Sequence, residues 1–157
     1  MKRRRFLKIT AAALVAGPAA ASEWQGIALG ADVSVSLTGQ GADAALAELT
    51  VFLENIEATF SLYRDSELTL LNASGFAQPS PWLGRALAVC DRLHHLTGGV
   101  FDPTVQPLWR ALADGGDVGA ARALIGWDSV ITGTKVQLAP GQALTLNGMA
   151  QCFAADL

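Results

Sequence analysis

Between residues 97 and 104 the chain reads Thr97-Gly98-Gly99-Val100-Phe101-Asp102-Pro103-Thr104, and no other stretch restricts the fold as tightly. Two adjacent glycines stop the helix that leads into them, because glycine enters the left-handed backbone region without steric cost. Pro103 then fixes a turn and removes a backbone donor, so the segment can continue neither as helix nor as central strand. An acid and a hydroxyl stand directly behind that stop. Glycines let backbone N–H groups approach a ligand, and a carboxylate after them can accept from ribose or ring N–H groups. A helix C-cap followed by an Asp-Pro turn would use the same residues, and residue type leaves the two readings even.

Around this loop the periodicities place the other elements. Ile27, Leu29, Val33, Val35 and Leu37 fall at or near alternate positions, predicting a half-buried strand or bent hairpin over residues 27–37. Leu46, Leu49, Leu53 and Ile56, with Phe52 widening the stripe, predict a helix over residues 42–58. Ser66 and Glu67 open a short helix ending at Asn72, and Ser80 can cap a longer one with Pro81 in its first position, carrying Leu83, Leu87, Cys90 and Leu93 on one face. A helical piece follows Pro107 and another spans residues 118–124, stopped by Gly126. Three β-like runs come next, at residues 129–132, 135–138 and 143–146, with Gly133-Thr134 and Pro140-Gly141 as turns. Helices and antiparallel hairpins in mixed order indicate an α+β fold.

The first residues belong to export rather than to the fold. Lys2, Arg3, Arg4, Arg5 and Lys8 precede an apolar run from Ile9 to Val15, followed by Gly17-Pro18 and the small-residue site Ala19-Ala20-Ala21, which is a secretory signal with cleavage expected after Ala21. Its apolar core is shorter than the roughly 20 residues that span a bilayer, so no membrane span is expected to remain after cleavage. Arg3-Arg4-Arg5-Phe6-Leu7-Lys8 fits the twin-arginine pattern for export of folded proteins, which predicts a periplasmic location. Residues 22–157 then carry six Lys and Arg against all 14 acids, a net charge of −8. That balance argues against nucleic acid or an anionic membrane as partner, since both need clustered cations. With 51% hydrophobic and 16% charged residues, this part suits one globular domain. Cys90 and Cys152 form neither a C-x-x-C pair nor a zinc pattern; a periplasmic disulfide is permitted, but Cys90 on an apolar helix face reads as a buried free thiol.

Two further segments could carry chemistry. Phe60-Ser61-Leu62-Tyr63-Arg64-Asp65-Ser66 holds a tyrosine whose apolar body and polar tip suit packing along a flavin or adenine ring, while residue type alone favours a rim tyrosine capping the core. Leu144-Thr145-Leu146-Asn147-Gly148-Met149-Ala150-Gln151-Cys152 reads as a strand, an Asn-Gly turn and a helix start. Such a start offers free N–H groups to a phosphate, and an exposed turn carbonyl can bind a hard cation. By contrast, His94 and His95 are adjacent on a helix and point to different faces, so surface or core placement is expected. Trp24, Trp82, Trp109 and Trp127 read as core anchors, and Thr104 has no base near it in sequence to make it a nucleophile.

Taken together, Ser61, Tyr63, Ser66, Leu71 and Asn72, then the T-G-G-x-F-D-P-T run, then Leu146, Gly148, Ala150, Ala154 and Asp156 resemble, in the same order, the motifs of the FAD:protein FMN transferases, the ApbE-like family. The resemblance implies an enzyme that splits FAD at its pyrophosphate, moves FMN to a threonine of a target protein and releases AMP, with Mg²⁺ assisting. It implies that Leu29, Tyr63, Val100, Phe101, Asp102, Thr145 and Gln151 hold FAD and that Gly148 offers a carbonyl to the metal; no catalytic residue is assigned. The implied partner is a target protein carrying the acceptor threonine, a redox-complex subunit or a periplasmic electron carrier.

Three departures stand inside the last motif, whose family form is D-L-G-G-I-A-K-G-Y-A-x-D: Thr145 replaces an aspartate, Gln151 a lysine and Cys152 a glycine. A side chain at 152 is expected to narrow the pocket. The chain also ends at Leu157 inside what reads as a helix, with no stop signal. Residues 22–157 are accordingly expected to be the N-terminal part of an incomplete transferase domain. A non-catalytic FAD-binding module, or an inactive truncated product, would satisfy the same residues.

Overall fold

The computed structural model describes residues 21–155. The expected signal lies outside these apart from Ala21, as do Asp156 and Leu157 and the side chains of Gln151 and Ala155. The chain divides into two compact units, one up to Glu57 and one from Ala58 onward.

The first unit is a hairpin followed by a helix. Strands β1 (Ala21–Ala28) and β2 (Ala31–Thr38) pair antiparallel from Ala21 opposite Thr38 to Ala28 opposite Ala31. Of the half-buried strand or bent hairpin expected over residues 27–37, the structure has the hairpin, and it begins six residues earlier. Its outer half escapes the apolar count because Ser22, Glu23 and Gln25 are polar, while Trp24 pairs across to Val35 and lies over Gly26, where a Cβ would fall 2.5 Å from its ring. The turn is Leu29-Gly30, with φ of +50° and +75°. Two positive φ values match the right-handed twist of the strands, but leucine in that region costs about 1–2 kcal/mol. The Leu29 N–H donates to the buried carboxylate of Glu57, on helix α1 (Ala42–Phe60), which holds the strained turn.

The second unit is mostly helical. Ser66 caps α2 (Glu67–Ser74) in a reciprocal box: its Oγ accepts from the Thr69 N–H while the Thr69 hydroxyl accepts from the Ser66 N–H. Gly75, at φ +72°, ends it. Helix α3 (Pro81–Leu96) starts as its sequence predicts, with Ser80 as cap and Pro81 in the first turn. Helices α4 (Gln106–Asp114) and α5 (Val118–Arg122) follow, and α6 (Ala150–Ala155) closes the described chain. Strand β3 (Phe76–Ala77) pairs antiparallel with β4 (Val136–Gln137), and Ile131 bridges to Gln137. Phe60, Leu68, Leu71, Leu83, Leu87, Cys90, Val136, Leu144 and Leu146 form the core, each at most 1% exposed. Among the described residues no helix is long and apolar enough to cross a membrane.

Two β-like readings need correction. Residues 129–132 contribute a 3₁₀ turn (Trp127–Ser129) and the Ile131 bridge instead of a strand. Residues 143–146 form no ladder, with Ala143, Leu144 and Leu146 buried and Thr145 half-buried. Their backbone groups go elsewhere: the Leu144 N–H donates to Asn72 Oδ1 at 2.7 Å, the Leu144 carbonyl accepts from Asn72 Nδ2 at 2.9 Å, and the Thr145 N–H donates to the Pro103 carbonyl at 2.8 Å. The Asn72 amide stands in for a neighbouring strand, so the apolar alternation is real while the ladder is missing. Both cysteines are free, Cys90 buried and Cys152 exposed.

Candidate functional site

The glycine-pair loop is held by its own side chains. Thr97 takes the C-cap of α3, and Gly98 and Gly99 follow at φ +60° and +83°. The Thr97 hydroxyl accepts the Phe101 N–H at 3.0 Å, which folds the loop back on the helix end. Asp102 then caps the 3₁₀ turn Pro103–Val105. One carboxylate oxygen accepts from the Thr104 N–H (2.8 Å) and the Thr104 hydroxyl (2.6 Å); the other accepts from the Trp127 N–H (3.1 Å). A carboxylate offers about four acceptor sites, so roughly one remains for a ligand, on a side chain only 9% exposed. Thr104 is fully buried, and its hydroxyl also accepts the Gly126 N–H at 2.8 Å, which fixes it as a structural hydroxyl.

The loop over residues 124–129 that closes on Asp102 is organised by a residue the sequence does not flag. Gln142, 7% exposed, shares the two N–H donors of Nε2 among the Leu124 carbonyl, the Gly126 carbonyl and the Ser129 hydroxyl at 2.9–3.1 Å, and accepts the Ala139 N–H at 3.0 Å. From the other side, Trp127 Nε1 donates to Asp91 of α3 at 3.0 Å. The same Asp91, first through its backbone carbonyl and then through its charge, raises the pKa of His95 above the ordinary histidine value.

Three segments far apart in sequence meet in the second unit. Asn147 donates to the Tyr63 hydroxyl at 3.3 Å, Asn72 pairs with Leu144, and Pro103 receives Thr145. Tyr63, Asp102, Thr145 and the Asn147-Gly148 turn thus belong to one neighbourhood. Tyr63 is 69% exposed and Val100 87% exposed, whereas Phe101 and Thr145 are half-buried. Gly148 is exposed, with nothing within 4 Å of where a Cβ would sit. Leu29 belongs to the first unit, buried at its hairpin turn, and the Gln151 side chain lies outside the described residues.

One reading of the last segment is corrected. The helix start after Gly148 does not present all its amides, because the Met149 and Ala150 N–H groups both donate to the Leu146 carbonyl, at 2.9 and 2.7 Å. What this turn leaves open is a side chain: Asn147 Oδ1 is buried and has no hydrogen-bond partner among the described residues. Such an atom costs about 1–3 kcal/mol, and a ligand N–H would satisfy it. Exposed Tyr63 thus stands beside Asn147, whose Oδ1 is free to accept. Among the described residues there is no cluster of three or more His, Cys, Asp or Glu side chains that could hold a metal ion. A separate open groove of about 580 Å³ runs along α3 past Arg85, Arg92 and Thr132 to Phe153; it touches none of the expected flavin residues.

The fold and this three-segment neighbourhood define the class: an α+β domain built around a glycine-pair loop and an Asn-Gly turn. The ApbE family model matches residues 29–157, and the chain belongs to the ApbE family. It is similar in structure to the flavinyl transferase ApbE of Pseudomonas stutzeri in its apo form, at 23% identity and a TM-score of 0.72 over 88% of this chain and 51% of that one. It is similar too to the flavin transferase ApbE of Vibrio cholerae (25%, 0.72, over 88% and 52%) and to the ApbE protein of Thermotoga maritima (21%, 0.73, over 87% and 50%). The chain spans about half the length of these solved relatives. No curated protein matches it.

Proposed function

We propose that the whole protein is an FAD:protein FMN transferase and that this chain supplies the flavin-nucleotide part of its site. The observation that carries the reading is the convergence of residues 60–72, 97–104 and 144–150 through direct hydrogen bonds, with an exposed aromatic ring and unspent acceptors where they meet. In the reaction, a threonine hydroxyl of the target protein attacks the FMN phosphorus of FAD. The pyrophosphate P–O bond breaks, AMP leaves with the bridging oxygen, and the hydroxyl proton is released. Chemistry of this kind depends on holding the two phosphates and the nucleophile in line.

Tyr63, Val100, Phe101 and Asp102 are the contacts we assign to FAD, with Thr145, Gln151 and Leu29 from the flanking motifs. Tyr63 and Val100 supply apolar surface, and Asp102 and Asn147 accept N–H or O–H groups. Mg²⁺ dependence belongs to the same reading, with the Gly148 carbonyl as the ligand named from this chain, and no step is assigned to the ion. So do residues 1–21 as a twin-arginine signal, a periplasmic location, and a redox-complex subunit or periplasmic electron carrier as acceptor.

Calorimetric titration of FAD with Mg²⁺ into the purified chain, alongside an assay for AMP release with a threonine-bearing acceptor domain, tests this. Saturable FAD binding, weakened about tenfold by Tyr63→Ala, is expected. AMP and flavinylated threonine appearing one to one establish the transferase, whereas binding without AMP gives a non-catalytic module. A folded chain that does not bind FAD overturns both.

A further inference from the structure

His94 sits on the last turn of α3 with its side chain only 11% exposed. Its backbone carbonyl accepts the Gly99 N–H at 2.9 Å, and its ring Nδ1 lies 2.9 Å from the Phe101 carbonyl. A carbonyl can only accept, so Nδ1 carries the proton and donates. One residue therefore grips the loop at two points, immediately before and immediately after Val100. The ring also packs beneath the glycine pair, since a Cβ on Gly99 would lie 3.6 Å from its Cε1. Two carboxylates flank it, Asp102 Oδ2 at 3.9 Å from Nδ1 and Asp128 Oδ1 at 3.7 Å from Nε2.

The result shows in Val100. It stands 87% exposed at the tip of the loop, although a free valine there would gain by folding onto apolar neighbours. The backbone that carries it is fixed on both sides, because Gly99 and Phe101 are tied to His94 and the Val100 and Phe101 N–H groups are tied to Thr97. An apolar side chain held out in this way is ready for a flat ring to lie against, without an ordering cost at the moment of binding.

We propose that His94 is a positioning residue of the flavin site: its backbone carbonyl and imidazole N–H clamp Gly99 and Phe101, and the clamp presents Val100 to the planar ring of a flavin nucleotide. The proposal rests on the flavin reading above and adds to it the residue that shapes the loop. His94 touches no ligand in this account and acts through Gly99 and Phe101.

The test compares the full chain with His94→Phe, which keeps a ring but has no ring N–H, and with His94→Asn, whose amide N–H is the same number of bonds from the backbone as Nδ1. The first readout is amide hydrogen exchange of Gly99, Val100 and Phe101 without flavin; the second is FAD affinity. His94→Phe is expected to speed exchange at these amides by about tenfold and to weaken FAD by a similar factor, with residues 81–90 of α3 unchanged. His94→Asn is expected to restore both to within about threefold. A Phe variant that matches wild type in exchange and affinity overturns the proposal. So does an Asn variant as impaired as the Phe variant, because ring packing would then matter rather than the donated hydrogen. If wild type binds no FAD, the flavin reading and this role fall together, whereas the exchange data decide separately whether the clamp exists.

Discussion

Asp102 shows at the scale of a single residue what a linear reading sees and what it misses. An acid after a glycine pair is visible in the sequence, and so is its suitability for a ligand. The local turn to Thr104 is legible too, but the commitment of Asp102 to Trp127 is invisible, because Trp127 arrives from 25 residues away. His94 is the converse case: adjacent histidines carry no spacing signal, yet the helix turns one of them under the loop it precedes. The cysteines separate in the same way. Burial, with Asp91 adding, pushes the Cys90 thiol up to about 12, so at pH 8 it stays protonated and unreactive. Cys152 is exposed. A thiol reagent at pH 8 is expected to label one thiol per native chain and two after denaturation, with mass spectrometry placing the native label on Cys152; rapid native labelling of Cys90 would contradict its burial.

Among the elements, helix starts and stops are the most legible, because capping depends on residues within one turn. Ser80-Pro81 and Ser66 open helices where their side chains predict, and Gly98-Gly99 follows the end of α3. Ser66 does more than cap. It is 4% exposed, and its hydroxyl also donates to the Ser61 carbonyl at 2.6 Å, tying the segment that carries Tyr63 to α2. Ser66→Ala removes both bonds and is expected to cost about 2 kcal/mol, read as a lower urea midpoint with an unchanged slope. A loss below about 0.5 kcal/mol would mean that the Thr69 side of the box suffices. Strands are less legible, since pairing is decided by a partner and not by the run itself. Residues 143–146 alternate like a strand, yet their polar backbone is satisfied by Asn72 and Pro103.

For the whole molecule, the long-range closure that matters joins α2 to residues 144–147. Asn72 and Leu144 are 72 positions apart and exchange two hydrogen bonds. Asn72→Ala leaves a buried N–H and a buried carbonyl without partners, which is expected to cost about 2–4 kcal/mol and, in the same variant, to weaken FAD by loosening Thr145 and Asn147. Urea unfolding and FAD titration check the two effects, and an unchanged midpoint would show that Leu144 finds other partners. The amino-acid sequence by itself determined the helices with their caps, the β character near the start, the α+β class and the three motif segments, because each depends on side-chain spacing or on residues within a few positions. Only the tertiary structure decided that Asn72 replaces a strand, that Gln142 orders the loop whose Trp127 N–H closes on Asp102, that Asn147 Oδ1 has no partner among the described residues, and that His94 ties down the backbone of the glycine-pair loop. Each of these is a hydrogen bond whose partner is chosen by folding, and a buried polar group takes whichever partner the packed chain brings within 3 Å or so.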